Sequence, residues 1–586
     1  MKQRITHLID QALQQLVAQE KLPPLDSLQI RVDAARDSAH GDYASNIALS
    51  LAKQAQRSPR ELAELICAAL PASSEIDKVE IAGPGFINFF VSAGSTNAIV
   101  QQVLVQQQNF GRSTVGAGHK VQVEFVSANP TGPLHVGHGR GAAYGDTVAA
   151  LLEAVGYTVE REYYVNDAGR QMDILAASVW LRYLQNCGEE LTFPSNAYQG
   201  DYIRAIAEQL VAEHGEQLRV GAADVFSGVS ADATQGGDKE KHIDGLIASA
   251  KAHLRERYEL VFSAALSGIL DDIRADLQEF GVTYDTWFSE RSLSEQPSQI
   301  DKAIEQLHAH GVVEQENGAL WFRSTRFGDD KDRVVLRDNG ESTYFASDIA
   351  YVLNKYERGY DKVIYVWGAD HHGYIDRVYA AIKALGLDPE KASIKLVQFV
   401  HLYRGERQMQ MSTRSGEFVT LRELREEVGT DATRFFYLMR RCEQTTDFDL
   451  DLAKSQSKDN PVYYVQYAHA RVCSVFKKLE QAGKQWDSER GLNNLDSLTE
   501  EHEQNLMRKL TAYPETLNKA ARNYEPHLLT TYLRDLAADF HTYYNAHKML
   551  IDDANLRDAR LCLSAAVRQV IANGLRLLGV SAPESM

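Results

Sequence analysis

The chain lacks the features that mark several classes of protein. Its 586 residues include five cysteines, none spaced as Cys-x-x-Cys, so the sequence predicts neither a disulfide framework nor a cysteine zinc site. It has no apolar run of about 18 residues, and its N-terminus carries no apolar signal segment with a small-residue cleavage site. We therefore expect a cytoplasmic protein without a membrane partner.

The charge balance limits the partners further. The chain has 62 lysines and arginines against 80 aspartates and glutamates, a net charge of −18, so indiscriminate binding to DNA is not expected. Residues 456–586 contain 16 residues of each sign, so the whole deficit lies in the first 455 residues. Residues 456–586 therefore repel a polyanion least. The alternative is that the balanced charge is only a feature of local composition and has no functional meaning.

Length and apolar patterning predict a multidomain α/β protein. Residues 1–112 mix short helix and strand patterns and are expected to form a small α+β domain, followed by a linker at Gly111–Gly118. The predicted elements of this domain are a helix over Ile5–Val17, a strand over Leu28–Val32, helices over about Ala44–Ala55 and Arg60–Leu70, and strands over Val79–Ile81 and Phe86–Phe90.

Residues 113–455 are predicted to form a Rossmann-type domain with a parallel sheet, because strand and helix patterns alternate there. An insertion at about 186–300 interrupts the alternation, and its low-hydrophobicity stretch Ser227–Asp238 is typical of a surface insertion or mobile loop. Residues 456–586 nearly lack strand patterns and are expected to be all-α. The predicted strands of the middle region are Val121–Val126, Leu320–Phe322, Asp332–Leu336 and Lys362–Trp367.

The segment His135-Val136-Gly137-His138 opens a helix after a strand and an Asn-Pro-Thr-Gly-Pro turn. The free N–H groups and the dipole at a helix start favour phosphate, which predicts an ATP site. Gly137 would let the nucleotide approach, and the imidazoles can donate hydrogen bonds. A zinc site built on the two histidines, or simple packing of both rings, explains the same residues.

Gly368–Tyr374 follows the predicted strand at 362–367, at the edge of an α/β sheet where ligands bind. Its glycine and histidines are therefore compatible with the same pocket as the His135 turn. The alternative is a second metal site made by Asp370, His371 and His372, although adjacent residues rarely converge on one ion.

Two acids are placed to meet a cationic ligand. Tyr344 and Asp348 are four residues apart and can share one helix face, and Glu124 stands at a strand end. Taken singly, each acid is equally well explained as a surface residue or a helix cap.

The loop Arg404–Gly416 has glycines, three arginines and hydroxyl side chains. This composition suits a mobile clamp that closes on a phosphate as negative charge develops. An exposed basic loop without a ligand is the alternative.

Together these motifs resemble those of the bacterial arginyl-tRNA synthetases, which are class I enzymes, along essentially the whole chain. His135–His138 matches the HIGH motif, Glu124–Asp146 matches the stretch around it, and Met411–Gly416 stands at the KMSKS position. Asp431–Arg434 reads Asp-Ala-Thr-Arg and departs at one position from the Asp-Ala-Leu-Arg pattern of the helical anticodon-binding domain.

The resemblance implies that the protein activates L-arginine with ATP and transfers it to arginine tRNA, as a monomer, with Mg²⁺ entering as part of the ATP substrate and with no tightly bound cofactor or metal. It also implies that tRNA is needed for arginine activation. The implied catalytic residues are His135, His138, Ser412 and Arg414. The implied ATP-binding residues are Pro130, Thr131, Gly132, Pro133, Leu134, His135, Val136, Gly137, His138, Gly368, Asp370, His371 and Met411. The implied arginine-binding residues are Glu124, Ser127, Asn129, Tyr344, Asp348 and His372.

The implied tRNA contacts lie in the two outer domains. An aromatic stripe on a helix is often core packing, which is the alternative for the tyrosines. The implied tRNA-binding residues are Phe86, Asn88, Tyr464, Tyr467 and Arg471.

One departure from the family pattern concerns charge. The first lysine of KMSKS is Gln410 here, and the second falls on Thr413 or Arg414, so the loop contains no lysine. A compensating lysine before HIGH is also missing, because that stretch reads Thr-Gly-Pro. We expect Arg414, Arg407 or Arg140 to supply the charge, since arginine binds phosphate with two parallel hydrogen bonds.

Two other functions remain compatible with the sequence. The same nucleotide fold could serve another class I synthetase or a nucleotidyltransferase, since function depends on the pocket. A catalytically silent tRNA-binding paralogue would also explain the loop without lysine.

Overall fold

The computed structural model describes residues 1–25, 29–35, 40–409 and 419–586. The first of its parts is an antiparallel four-stranded sheet in the order β1-β2-β4-β3, packed on three helices through an apolar core of its own. This confirms the predicted small α+β unit. Its elements are α1 (Lys2–Ala18), β1 (Val32–Ala34), β2 (Tyr43–Ser45), α2 (Ile47–Leu51), α3 (Pro59–Ala69), β3 (Ile76–Ala82) and β4 (Phe86–Val91).

The helix predicted over about Ala44–Ala55 is wrong at its start and too long. Residues up to Ser45 belong to β2, which pairs with β1 on one side and β4 on the other. The buried Ser45 hydroxyl also donates to Arg31 O at 2.7 Å. Sheet pairing therefore outweighs local helix propensity here.

A five-stranded sheet in the order β12-β11-β5-β6-β7 forms the centre of the molecule, and all four neighbouring pairs are parallel. The order reverses between β5 and β11, which confirms the Rossmann-type prediction and puts a crevice at their carboxyl ends. The strands are β5 (Lys120–Phe125), β6 (Thr158–Val165), β7 (Thr286–Ser289), β11 (Lys362–Gly368) and β12 (Ala392–Val397). The helices of this part include α5 (Val136–Ala154), α6 (Arg170–Asn186), α12 (Tyr344–Glu357) and α13 (Ile375–Ala384), whereas α4 (Ala93–Gln106), which precedes β5, packs on the C-terminal helices.

The region expected to be an insertion is mostly helical, but it also contains β7, an edge strand of the central sheet. Within the stretch predicted as a surface or mobile loop, Asp232 is buried and accepts hydrogen bonds from the backbone N and the hydroxyl of Ser195 at 2.9 and 2.6 Å. The loop thus has an internal anchor. The helices of this region are α7 (Asp201–His214), α8 (Ala222–Val225), α9 (Lys239–Leu254) and α10 (Tyr258–Glu279).

The strands predicted at 320–322 and 332–336 exist, but they belong to a separate antiparallel sheet in the order β10-β9-β8. A third small sheet, β14-β13-β15, leads towards the C-terminal helices. The elements are α11 (Gln299–Ala309), β8 (Val313–Glu316), β9 (Ala319–Phe322), β10 (Arg333–Leu336), β13 (Val400–Arg404), β14 (Arg407–Gln408), α14 (Leu421–Val428), α15 (Thr430–Leu438), β15 (Thr446–Asp449) and α16 (Leu450–Lys454).

The remainder of the chain is helical, as predicted, and its apolar core is continuous with that of the central sheet. None of the helices in the described ranges combines the length and the apolar character needed to cross a membrane. The helices are α17 (Pro461–Gln481), α18 (Ser488–Asn493), α19 (Glu501–Asn523), α20 (His527–Ala546) and α21 (Ala554–Leu577).

Candidate active site

The two histidines of the first motif lie at the start of α5, directly beyond the carboxyl end of β5. His135 is the N-cap, and its Nδ1 accepts hydrogen bonds from the backbone N of Gly137 and His138 at 3.0 and 3.2 Å. His138 Nδ1 accepts from His135 N at 3.3 Å, and the two rings stack with centroids 3.5 Å apart. A Cβ at Gly137 would stand 2.9 Å from His135 Cε1, so glycine makes room for this cap.

The expectation of free backbone N–H groups at this turn is wrong. Gly137 and His138 N–H bond to the His135 imidazole, Val136 N donates to Val419 O at 3.2 Å, and Gly139 N donates to His135 O at 3.2 Å. Because both Nδ1 atoms accept hydrogen bonds, the proton of each neutral ring sits on Nε2. The donors that this turn offers to a phosphate are therefore imidazole N–H groups.

Both imidazoles are held neutral. Burial lowers the pKa of His138 to about 3, with the neighbouring His135 acting in the same direction. Burial also lowers the pKa of His135, an effect that the Asp370 carboxylate opposes. Asp370 lies in the turn after β11, the parallel neighbour of β5, and therefore at the same edge of the sheet as the His135 turn.

The far end of the KMSKS-like loop is joined to the His135 turn. Val136 N donates to Val419 O, and Leu421 N donates to Leu134 O at 2.8 Å, so the residues just before α14 form a short antiparallel bridge with this turn. The predicted site residues Met411, Ser412 and Arg414 lie outside the described residues.

Of the three arginines expected to replace the missing lysine, Arg140 is excluded. It is 1% exposed and donates to the backbone carbonyls of Gln398, Gln444 and Arg441 at 2.7 to 3.0 Å. Burial lowers the pKa of Arg140 to about 10, so it stays charged while it holds these carbonyls. Arg407 lies exposed on β14, and Arg414 is outside the described residues.

A pocket of about 320 Å³ opens beside this crevice. It brings together most of the residues predicted to bind arginine, although His372 is not among its walls. Asn129, at its rim, donates to Gln171 Oε1 at 3.0 Å. The predicted residues in the wall are Glu124, Ser127, Asn129, Tyr344 and Asp348, and further wall residues are Tyr164, Asn166, Glu290, Gly368, His371 and Arg377.

The floor of the pocket is conformationally strained at the end of β5. Val126 and Ser127 have φ angles of 68° and 42°, in the left-handed region that a β-branched residue such as valine avoids. Such strain persists only where the surroundings impose it. Ser127 Oγ donates to Glu124 Oε1 at 3.2 Å and accepts from Tyr164 N at 3.1 Å, which fixes this bend.

Glu124 lines the pocket, but its charge is already compensated. The fully buried Lys355 ammonium forms an ion pair with the Glu124 carboxylate, and Tyr351 donates to it at 3.1 Å. Behind Glu124, the buried Glu162 is bound by Arg358 at 2.6 Å and lies 3.8 Å from Lys355 Nζ. Glu124 is therefore part of a buried network that ties α12 to β5 and β6.

The acids available to a cationic ligand are Asp348 and Glu290. Burial raises the pKa of Asp348 to about 7; Arg377 opposes the rise, and Glu124 adds to it. Burial also raises the pKa of Glu290 to about 7, with Asp348 as the next cause. Among the described residues, no lysine or arginine stands within ion-pair distance of either carboxylate.

Glu290 was missed in the sequence. It follows β7 directly, at the same carboxyl edge of the sheet as Glu124 and Asp370. The available signal was the strand pattern Thr286–Ser289 before it, which lay within the range assigned to the insertion. Recognising that strand would have placed its next residue at the ligand edge.

The remaining ATP-site predictions concern the turn before α5 and the turn after β11. Tyr202 of α7 donates to Thr131 O at 2.7 Å, so the inserted region supports the first turn from one side. Leu134 and Pro130 are buried, whereas Asp370 and His371 are exposed towards the crevice. No cluster of three or more histidine, cysteine or acidic side chains able to hold a metal occurs among the described residues.

The predicted tRNA contacts are far along the chain from this pocket. Phe86 is 42% exposed on β4, whereas Asn88 is 4% exposed. On α17, Arg471 donates to Tyr467 Oη at 3.1 Å and packs on its ring, and Tyr464 is partly buried against His541. The Arg471 cluster is thus a pre-ordered aromatic and cationic surface, and Asn88 is covered.

Three family profiles match successive parts of the chain. Arginyl tRNA synthetase N terminal domain matches residues 3–91. The profile described as tRNA synthetases class I (R), catalytic domain, matches residues 99–444. DALR anticodon binding domain matches residues 465–586.

Individual relatives agree with the profiles. The arginine–tRNA ligase of Thioalkalivibrio sulfidiphilus is 60% identical over 587 residues, and that of Hydrogenovibrio crunogenus is 55% identical over 593 residues, in each case with 100% of both chains covered. A putative arginyl-tRNA synthetase structure from Campylobacter jejuni has a TM-score of 0.73 at 32% identity and covers 85% of this chain and 100% of that chain. The Thermus thermophilus arginyl-tRNA synthetase shares the fold, with a TM-score of 0.73 at 24% identity and 100% of both chains covered. The chain belongs to the arginyl-tRNA synthetase family.

Proposed function

We propose that the protein is an arginine–tRNA ligase. ATP and L-arginine form arginyl-adenylate with release of pyrophosphate, and the arginyl group is then transferred to the 3′ end of arginine tRNA. The observation that carries the proposal is a pocket with two acids, Asp348 and Glu290, at the same sheet edge as the paired imidazoles of α5. A guanidinium with five N–H donors requires such acceptors.

The chemistry is assigned to positioning and to charge stabilisation. His135 and His138 donate Nε2–H hydrogen bonds to the phosphates, which does not require either ring to be protonated. Ser412, Met411 and Arg414 act on the leaving pyrophosphate, with Mg²⁺ entering as part of the ATP substrate. The adenosine side of the site consists of Pro130, Thr131, Gly132, Pro133, Leu134, Val136, Gly137, Gly368, Asp370 and His371.

Arginine is placed with its guanidinium at Asp348 and Glu290 and with Tyr344 across the open side of the pocket. Ser127 and Asn129 are assigned to the α-amino and carboxylate end, and His372, which is outside the pocket wall, is given no contact with arginine. Glu124 contributes through the network that orients α12, because its charge is bound by Lys355. Lysine, with an ammonium in place of the planar guanidinium, leaves buried acceptors unfilled, at a cost of about 1–3 kcal/mol per group.

The tRNA is assigned to two surfaces. Phe86 and Asn88 belong to the proposed N-terminal tRNA-binding domain (1–112), and Tyr464, Tyr467 and Arg471 belong to the proposed helical anticodon-binding domain (456–586). Aromatic rings beside an arginine suit stacking on unpaired bases. Asn88 reaches tRNA only if the strand around it shifts. We also assign the protein to the cytoplasm, as a monomer.

The test is ATP–pyrophosphate exchange with each amino acid in turn, with and without tRNA. We expect exchange with arginine alone, and only when arginine tRNA is present. Exchange with a different amino acid would identify another class I synthetase. Absence of exchange with every amino acid, together with retained tRNA binding, would identify a silent tRNA-binding paralogue.

A further inference from the structure

The wall of the arginine pocket contains two acids, Glu290 and Asp348, and the phenol of Tyr164. Glu290, 6% exposed, directly follows β7, and Tyr164 lies on the neighbouring strand β6. Asp348, one turn into α12, lines the same pocket, and its negative charge contributes to the raised pKa values of Tyr164 and Glu290. Two carboxylates that line one buried pocket repel each other when both are ionised.

The cations near these acids are few, and most are bound elsewhere. Lys355 is paired with Glu124 and Glu162, and Arg358 is paired with Glu162. Arg377 of α13 acts on Asp348 without reaching ion-pair distance. The other titratable groups in the pocket wall are Tyr344 and Tyr351 of α12, Tyr365 of β11, and His371 and Tyr374 of the turn before α13, and Asp167 after β6 also acts on Glu290.

Asp167 increases the negative charge around Glu290. Its carboxylate accepts from the Ser289 hydroxyl at 2.6 Å and from Arg291 N at 3.0 Å, both of which are neutral donors. The walls of the empty pocket therefore carry more negative than positive charge. Binding one proton lowers this excess of negative charge.

We propose that Glu290 and Asp348 share one proton when the pocket is empty and release it to solvent when a guanidinium binds. The inference rests on the proposed function and deepens it. The balance is one carboxylic acid, one carboxylate and one guanidinium ion becoming two carboxylates, one guanidinium ion and one free proton. The positive charge of the guanidinium replaces that of the proton in neutralising the two acids. Both carboxyl groups are therefore ionised only in the complex.

The proton also determines selectivity. Burial raises the pKa of both carboxyl groups to about 7, so the exchange falls within the physiological range. Citrulline is the neutral isostere of arginine, with a ureido C=O that accepts a hydrogen bond from the protonated acid. The preference for arginine over citrulline should therefore rise with pH by up to about tenfold per unit between about pH 6 and 8.

The experiment is titration calorimetry of L-arginine into the full-length protein at pH 7.0, in buffers with different ionisation enthalpies. The dependence of the binding enthalpy on the buffer gives the number of protons released. We expect about 0.5–1 proton per arginine for the native protein, on the basis of carboxyl groups half-ionised near neutral pH. Glu290→Gln should abolish the release, and the exposed Glu256→Gln is the matched control that should retain it.

The outcomes separate the inference from the function on which it rests. Arginine binding with fewer than about 0.2 protons released at pH 7.0 overturns the shared proton and leaves the ligase function standing. A ratio of citrulline to arginine affinity that is constant from pH 6 to 8 in the native protein overturns it independently of any variant. Failure of arginine to bind, with or without tRNA, overturns both proposals, and pyrophosphate exchange then fails as well.

Discussion

At the scale of single residues, position in the fold decides the chemistry of side chains that are identical in the sequence. Glu124 and Glu162 lie on neighbouring strands of one sheet, and Glu290 directly follows a third strand of it. The first two are bound by Lys355 and Arg358, whereas Glu290 faces another acid. Only Glu290 therefore has a carboxylate free to exchange a proton for a cation.

A substitution at Asp348 tests whether this residue binds the guanidinium group of arginine. Replacing it with the isosteric asparagine removes one charge-assisted hydrogen bond, so Asp348→Asn should raise the arginine KM by about 10- to 100-fold while the ATP KM changes little. Steady-state pyrophosphate exchange measures both constants. The control is Asp338→Asn in an exposed turn. An unchanged arginine KM in Asp348→Asn would remove this residue from the pocket.

The raised pKa of Glu290 predicts how the free energy of unfolding depends on pH. Its pKa is raised to about 7, so the folded protein holds this proton more tightly than the unfolded chain. Stability contributed by the site is therefore highest below about pH 4.5 and is lost as the pH rises to about 7. Glu290→Gln should raise the melting temperature at pH 8, by an amount corresponding to about 1–3 kcal/mol, and leave it nearly unchanged at pH 4.5. Calorimetry at both values checks the sign, and equal shifts at the two values would contradict it.

At the scale of elements, one side chain at the start of α5, His135, both caps the helix and is proposed to bind phosphate. The His135 ring caps the helix through Nδ1, which leaves Nε2 as the protonated nitrogen of the neutral ring. The strand bridge from Val136 to Val419 then brings the end of the KMSKS-like loop against the same turn. Val419 and Leu421, which follow the loop, are thereby hydrogen-bonded to the turn beyond β5.

His135→Asn separates the two roles of this histidine. Asparagine is a good N-cap but has no donor at the Nε2 position, so thermal stability should stay within about 1 kcal/mol of the native value while kcat for adenylate formation falls about 100-fold. Single-turnover activation kinetics and thermal melting measure the two effects. His135→Ala, which lacks the cap as well, should lose about 1 kcal/mol in addition. Native kcat in the asparagine variant would show that the imidazole serves only as a cap.

At the scale of the whole molecule, the Asp-Ala-Thr-Arg segment joins distant parts of the chain. The fully buried Arg434 donates to Asp146 of α5 at 2.6 Å, to Phe280 O after α10 at 3.1 Å and to Leu578 O after α21 at 2.8 Å. Asp431 accepts from Ser581 N at 3.0 Å. The helix that carries the imidazole pair is thereby fixed to the end of the C-terminal helices.

Arg434→Met should disrupt this junction. The change leaves two backbone carbonyls without their buried donor and leaves Asp146 with the more distant Arg161, at 3.5 Å, so we expect a loss of about 3 kcal/mol and a lower melting temperature. Differential scanning calorimetry measures the change, and Arg337→Met, at an exposed arginine paired with Glu341, is the matched control. A loss below about 1 kcal/mol would show that the junction is not a structural link between the parts.

The sequence alone determined the family, the parallel sheet, the helical C-terminal part and the position of the His135 turn, because these depend on local motifs, on periodicity and on turn residues. Tertiary structure decided which charges are free. Lys355, seven residues beyond Asp348 on α12, forms an ion pair with Glu124. Arg140 donates its hydrogen bonds to three backbone carbonyls. It also brought Glu290 to the ligand edge through a strand that local pattern had assigned to the insertion. Ion pairing and burial depend on residues far apart in the chain, and no spacing in the sequence encodes those distances.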